Sequence, residues 1–352
     1  MRIAMYHGRL PQPGRKPGGV EVFVHRLSQV LSGRGHDIEA LTYSPAPPEA
    51  AYSTRRLRPH VAEERRFLRQ YLAPWLLNLQ SFGGFDVAHF HGDDWFFLRR
   101  KLPVVRTFHG SALFEARSAV STRRRLDKAV IFPLELLAGG LATSTYGVGA
   151  DSEIIYQTDG LLPLGIDLPK HGPRPSANPA ILFIGTWRGR KRGSFLHEIF
   201  VRDIRTAIPG AELWMVSDEC EPAEGVRWVN APSDDELSEL FSRSWAFCLP
   251  SKYEGFGIPY LESMAHGVPV VATHNPGAQT LLDGGRCGVL AEDHELGRRL
   301  IEVLQDAPLR AALIHAGRKR AEEYSWERMA ERHERAYEEA IERWRLQQAK
   351  RR

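Results

Sequence analysis

Glu254 and Glu262 stand eight positions apart in PSKYEGFGIPYLE (residues 250–262), separated by a phenylalanine between two glycines and by a proline. A carboxylate accepts hydrogen bonds from two hydroxyls at once, so acids around such a loop suit the hydroxyls of sugars. Gly255 and Gly257 allow close approach to the backbone, and Pro259 fits the first turn of a helix over IPYLESMAHG. The unpaired amides and positive dipole end of that helix attract a diphosphate without a metal. The pattern therefore suits a nucleoside diphosphate carrying a sugar. Glu254 would take the sugar hydroxyls, Gly255, Phe256, Gly257 and Ile258 the phosphates, and Glu262 the two hydroxyls of a ribose. Taken singly, each acid has a plainer use, Glu262 as a helix-dipole partner and Glu254 as a loop carboxylate.

Three further groups carry chemistry. FIGTWRGRKRGSFL (183–196) is a strand, a turn and a basic cluster before a helix, with Arg188, Arg190, Lys191 and Arg192 available to neutralise a diphosphate. Gly18 and Gly19 open the helical segment EVFVHRLSQVLSGRG, and FDVAHFHGDDW and PVVRTFHGS end short apolar runs in His91 and His109. His89 and His91 have an H-x-H spacing without a third ligand at sensible distance, and no D-x-D pair occurs. Neither a metal nor a cofactor is expected.

These residues need strand ends and helix starts to hold them. RIAMYH, DIEALTYS, DVAHFHG and PVVRTFHG alternate with helical segments, which implies parallel strands with crossover helices. The alternation restarts after LPKHGPRPSANPA with ILFIGTW, AELWMVS, VRWVN, AFCLPS, VPVVAT and GVL. The expected organisation is a first Rossmann-like domain over 1–168, a linker over 169–178, a second Rossmann-like domain over 179–325, and a helix over 326–352 with an apolar seam of Met329, Tyr337, Ile341 and Trp344. In doubly wound sheets ligands bind at the carboxyl ends of the strands, so two facing domains of this α/β class would share a cleft.

The chain has 352 residues, too long for one ordinary core, and is 43% hydrophobic and 26% charged, which excludes a disordered chain. Cys220, Cys248 and Cys287 lie too far apart in sequence for a zinc or disulfide framework and fit a reducing cytoplasm. The longest apolar stretch, AVIFPLELLAGGLA, is broken by Glu135 and too short to span a bilayer. The net charge of +4 is concentrated in the first half, in STRRLRPH, RRFLRQYLAPWLLNLQSF and STRRRLDK. The second of these is basic and aromatic, a composition suited to peripheral membrane contact. Nothing indicates nucleic acid, since no aromatic RNA-binding motif or reading helix accompanies the charge.

With PSKYEGFGIPYLESMAHGVPVVAT, the chain resembles glycosyltransferase family 4, retaining enzymes of GT-B fold, whose E-x7-E motif is matched by Glu254 and Glu262. The resemblance extends through GGVEVFVHRLSQVLSGRGHDIEALT, the paired His-bearing strands and YSWERMAERHERAYEEAI. It implies two facing Rossmann-like domains and transfer of a hexose from a nucleoside-diphosphate sugar to the hydroxyl of a soluble or lipid-linked acceptor, with no metal; the resemblance does not fix the base, for which UDP is taken in preference to GDP. It places His109 and Glu254 at the reacting sugar, and Gly18, Gly19, Thr186, Lys191, Arg192 and Glu262 in donor binding. It also implies a final helix that returns to the first domain. Two departures stand out: Thr186 replaces the arginine usual after the strand glycine, and Thr280 stands where relatives carry an acid. An epimerase or phosphorylase of the same fold is the enzymatic alternative, and a non-catalytic nucleotide-sugar sensor the other; no pyridoxal-lysine motif favours a phosphorylase.

Overall fold

The computed structural model describes the chain except residues 16, 58–67, 99, 119–120, 170–171 and 352. The described residues form two compact units, Met1–Gly165 with Trp326–Arg352, and Ile166–Ser325.

The first unit is built on β1 (Arg2–Tyr6), β2 (Asp37–Thr42), β3 (Ser53–Arg56), β4 (Val87–Phe90), β5 (Val104–Phe108), β6 (Ser144–Gly147) and β7 (Gly160–Leu161). They form one parallel sheet in the order β3-β2-β1-β4-β5-β6-β7. Every residue of β4 and β5 is buried, as in a parallel sheet covered on both faces. Helix α1 (Gly19–Gly33) buries Phe23, Val24, Leu27 and Leu31, a helical stripe that packs inward. Helix α2 (Thr122–Leu141) contains the apolar run around Glu135.

The C-terminal helix, Trp326–Arg351, completes this unit with Trp326, Met329, Ala330, His333, Ala336, Tyr337 and Ala340 buried. Its buried seam lies nearer the helix start than expected. Ile341 and Trp344 are only half-buried and border a groove with Phe85 and Pro103. Arg34 donates to both carboxylate oxygens of Glu334 at 2.7 and 2.8 Å, and His36 lies 2.9 Å from the same group. Gly165 meets the first turn so closely that a Cβ there would lie 2.5 Å from the Trp326 ring.

The second unit carries β8 (Ala180–Ile184), β9 (Glu212–Val216), β10 (Val226–Val229), β11 (Ala246–Leu249), β12 (Val270–Thr273) and β13 (Val289–Ala291). They form a parallel sheet in the order β10-β9-β8-β11-β12-β13. Its order reverses between β8 and β11, as that of the first sheet does between β1 and β4, and such reversals open a crevice at the strand carboxyl ends. The unit begins at Ile166 rather than after a linker at 169–178. Backbone hydrogen bonds account for this difference: Ile166 N–H donates to Tyr324 O at 2.9 Å, Arg174 N–H to Ser242 O at 2.7 Å and Ser176 N–H to Arg243 O at 2.9 Å. The last two satisfy carbonyls at the end of the helix Asp234–Arg243, which would otherwise lack partners.

Candidate active site

In the second unit the loops after β8 and β11 lie side by side at the reversal. Lys252 N–H donates to Arg190 O at 2.9 Å, tying one loop to the other. Glu254 is 7% exposed, and its Oε1 accepts from Ser251 Oγ at 2.9 Å and pairs with Arg190 Nη1 at 2.5 Å. Its backbone is clamped by Gly277, whose N–H donates to Glu254 O at 2.8 Å. Only glycine fits at 277, because a Cβ would come within 2.6 Å of Phe256 O and 2.8 Å of Glu254 O. The helix α5 that contains Gly277 (Pro276–Leu281, following α3, Gly193–Ile199, and α4, Ile258–Ala265) is capped by Asn275, which accepts from Ala278 N–H. The Asn275 amide also donates to Ser251 O and Tyr260 Oη, so the loop is held from below.

Gly257 precedes α4 in a left-handed conformation, φ 95°, and no side chain caps the helix. The loop Gly255–Ile258 therefore delivers its chain to an uncapped helix N-terminus, an arrangement that favours an anion. Glu262 lies one turn into α4 and is half-buried. Burial raises its pKa to about 6, with Lys191 opposing the rise and Asp234 adding to it. Lys191 is thus close enough to act on Glu262, and its stem packs over Gly185, where a Cβ would lie 2.9 Å from Lys191 Cδ.

Arg192 has a structural assignment that its place in the sequence does not reveal. It caps the start of α3 in a left-handed conformation, φ 57°. Its Nε donates to Pro250 O at 2.6 Å, and its two terminal nitrogens each meet the Asp293 carboxylate at 2.6 Å. This bond, before Coulombic attraction, holds the Asp293 carboxyl below the usual range. Arg190, in contrast, presents its guanidinium to Glu254 and to Tyr253 O at 2.6 Å. Thr186 is exposed, its hydroxyl donating to Arg188 O at 2.8 Å. Trp187, which drew no attention in sequence, is buried and fixes the turn through its N–H to Asp218 at 2.8 Å. The arrangement predicts different effects for neighbouring cations. Arg192→Ala should lower thermal stability with little change in the ratio of nucleoside to nucleoside-diphosphate affinity, whereas Lys191→Ala should lower diphosphate affinity about tenfold or more and spare the nucleoside. Calorimetry with both ligands checks this, and the reverse pattern would return Arg192 to the phosphates.

In the first unit, Gly18 precedes α1 without a side-chain cap and Gly19 is its first residue. Glu21, 2% exposed, holds the loop before them: it accepts from Arg15 at 2.6 Å and pairs with Arg9 at 3.0 Å. Sequence reading missed Glu21; an acid in the first turn after two glycines, with arginines upstream, was the available signal. His109 follows β5, half-buried, with Phe23 of α1 edge-on at 5.2 Å. Its Nε2 is 3.0 Å from His91 Nδ1. Burial, helped by His7 and Arg106, pushes the His109 pKa down to about 3, so the ring is neutral. His89 places one nitrogen 2.8 Å from Tyr337 Oη and the other 2.8 Å from Thr107 Oγ1. Both rings of the H-x-H pair thus spend their nitrogens on protein groups, and among the described residues no cluster of three His, Cys, Asp or Glu side chains could hold a metal ion.

The structure therefore brings Glu254, Gly255, Phe256, Gly257, Ile258, Lys191 and Glu262 together in one unit, and gathers His109 with the start of α1 in the other. The sequence model described as Glycosyltransferase Family 4 matches residues 17–146, and that described as Glycosyl transferases group 1 matches residues 173–320. The phosphatidyl-myo-inositol mannosyltransferase of Mycobacterium leprae is 24% identical over 381 residues, 96% of either chain. The O-antigen chain mannosyltransferase B of Escherichia coli is 25% identical, covering 77% of this chain and 78% of its own. The solved sucrose-phosphate synthase of Thermosynechococcus elongatus superposes with a TM-score of 0.77 at 20% identity, covering 96% of this chain and 98% of that one, which agrees with a GT-B fold. With both halves matched by these models, and with glycosyltransferases similar over nearly its full length, the chain belongs to glycosyltransferase family 4 and is a glycosyltransferase using a nucleotide-sugar donor.

Proposed function

We propose that the chain transfers a hexose from a nucleoside-diphosphate sugar to an acceptor hydroxyl with retention of anomeric configuration and without a metal ion. The observation that carries this reading is Glu254, buried at the reversal of the second sheet and clamped by Gly277 and Ser251. Glu254 holds the sugar hydroxyls, Glu262 the ribose, and the Gly255–Ile258 backbone the diphosphate. Lys191 supplies cationic charge to the departing diphosphate, whereas Arg192 is bonded to Asp293 and Arg190 to Glu254. Gly18 and Gly19 admit the donor phosphate, Thr186 borders it, and His109 binds the transferred sugar. Preorganised amides and cations stabilise charge as it develops on the leaving group, usually the largest catalytic contribution.

The base is read as uracil in preference to guanine. Thermal stabilisation by UDP, GDP, ADP and TDP discriminates among the bases, because a ligand that binds the native state raises its melting temperature. Turnover in the presence of a chelator, with the product's anomeric configuration read by NMR, tests the rest. An inverted product, or activity restored only by a divalent ion, would overturn retention or metal independence respectively.

The acceptor is read as lipid-linked at a cytoplasmic membrane face, supported by the phosphatidyl-inositol named for one relative. No described helix is long and apolar enough to cross a membrane. A surface cavity of about 370 Å³ in the first unit is lined by Leu72, Trp75, Leu76, Asn78, Leu79 and Leu98, of which Leu72, Trp75, Leu79 and Leu98 are exposed. Arg65, Arg66 and Phe67, the charged start of this segment, lie outside the described residues, as does the side chain of Arg69. Flotation with vesicles rich in anionic lipid should carry the protein upward at low salt and less at high salt, where surface charge is screened. No flotation at low salt would remove the membrane contact.

A further inference from the structure

His91 and His109 follow adjacent parallel strands, β4 and β5, and their rings meet through His91 Nδ1 and His109 Nε2 at 3.0 Å. The other nitrogen of His91, Nε2, lies 3.0 Å from Met5 Sδ on β1. A thioether has no proton to give and accepts only weakly. Were His91 Nε2 bare, its lone pair would face those of the sulfur at this distance, a repulsive contact. In neutral His91 the proton therefore sits on Nε2, and Nδ1 is the acceptor. Only one partner for that acceptor is consistent with the geometry: His109 Nε2 carries a proton and donates it.

A doubly protonated ring would break this chain of assignments, and the surroundings oppose one. His91 is 3% exposed, burial holds its pKa well below the ordinary value, and the neighbouring rings of His89, His109, His7 and His333 disfavour added charge. Burial holds the His109 pKa down as well, with His7, Arg106 and His333 also opposing protonation, and its ring packs at a steep angle against Phe23. The same phenylalanine packs edge-on against His91, with ring centroids 5.7 Å apart.

We infer that Met5 and His91 are positioning residues that lock His109 in its Nε2–H tautomer, leaving Nδ1 as the acceptor its ring offers to a ligand. This rests on the reading that His109 binds the donor sugar. On that reading His109 receives a hydrogen bond from a sugar hydroxyl through Nδ1, and it cannot donate a proton from that atom to the leaving phosphate. The identity of a ligand atom at Nδ1 is thereby restricted to one that carries hydrogen. Met5, a residue with no chemistry of its own, determines this through the weak acceptor it presents.

Long-range proton–nitrogen NMR of the full chain labelled with nitrogen-15 histidine at pH 7.5 tests the tautomer directly, with resonances assigned from His91→Asn and His109→Asn. The expected spectrum has Nε2 protonated and Nδ1 bare in both rings; a His109 protonated at Nδ1 overturns the proposal without recourse to any variant. Met5→Leu conserves volume and should fold, since such exchanges are the best tolerated in packed cores. It should give His91 and His109 a mixture of tautomers and lower kcat several-fold at nearly constant donor KM. An unchanged tautomer population in Met5→Leu would overturn the role of the sulfur. His109→Ala separates the two readings. Full turnover in His109→Ala, with the expected wild-type spectrum, would overturn the placement of His109 at the sugar and the catalytic bearing of the lock. Lost turnover with the opposite wild-type tautomer would overturn the lock alone.

Discussion

Replacing Glu254 by Gln should lower donor turnover about 10- to 100-fold while leaving affinity for the free nucleoside diphosphate nearly unchanged. The magnitude follows from one hydrogen bond to a charged group, about 1.5–3 kcal/mol. The selectivity follows from place: the Glu254 carboxylate is set by Ser251 and Arg190, and its backbone by Gly277. Glutamine keeps the shape and loses the charge, so the loop should survive. Single-turnover kinetics measures the first quantity and calorimetry the second. Equal loss of nucleotide affinity in Glu254→Gln and Glu262→Gln would contradict the division of sugar and ribose between the two acids.

Glu262→Gln should have the opposite profile, a 10- to 100-fold loss of nucleotide affinity at pH 7.5 accompanied by a gain in stability. Burial raises the folded-state pKa of Glu262 from 4.5 to about 6. Between these values the folded chain binds more protons than the unfolded one, so the contribution of this group to stability falls as pH rises from 4.5 to 6. Above pH 6 the ionised carboxylate costs about 1–2 kcal/mol, a cost glutamine does not bear. On the role proposed for Glu262, ribose binding needs the ionised form, so wild-type affinity should fall about tenfold for each pH unit below 6 as the competent fraction shrinks. The nucleotide's own phosphate also titrates, so the decisive quantity is the wild-type-to-variant affinity ratio. That ratio should be constant above pH 7 and shrink toward pH 5. A ratio independent of pH, or a variant less stable than wild type at pH 7.5, would show that Glu262 is not a buried carboxylate serving the ribose.

The central strands were legible because parallel strands covered on both faces are nearly continuous apolar runs, as VAHF, AFCL and VVAT illustrate. The edges were not. Ser53–Arg56 is polar, lies at one margin of its sheet and reads as part of a basic cluster, while Gly160–Leu161 at the other margin is only two residues long. Glu254 and Glu262 were readable because one loop and one helix turn contain both. The ion pair of Arg192 was not readable for the converse reason: its partner Asp293 is 101 positions away, and nothing local distinguishes a cation bound to a distant carboxylate from one awaiting phosphate. The His91–His109 contact depends on the pairing of β4 with β5, and the role of Met5 on β1 beside β4, neither of which is visible in a single segment.

The first unit is closed by both ends of the chain, whereas the second is one uninterrupted segment. A ribosome releases the chain from its amino terminus, and domains commonly fold as they emerge. Here the order is inverted: residues 166–325 are all synthesised before Trp326–Arg351, the helix that provides Tyr337 to His89 and packs Trp326 on Phe23. The nascent protein therefore carries a first sheet that waits, with His89 and Phe23 lacking those partners, while its second sheet already has every strand. The surroundings of His89 and Phe23 are completed only once residues 326–351 have been made, so a chain cut before Trp326 would carry a complete second sheet joined to an unfinished first one.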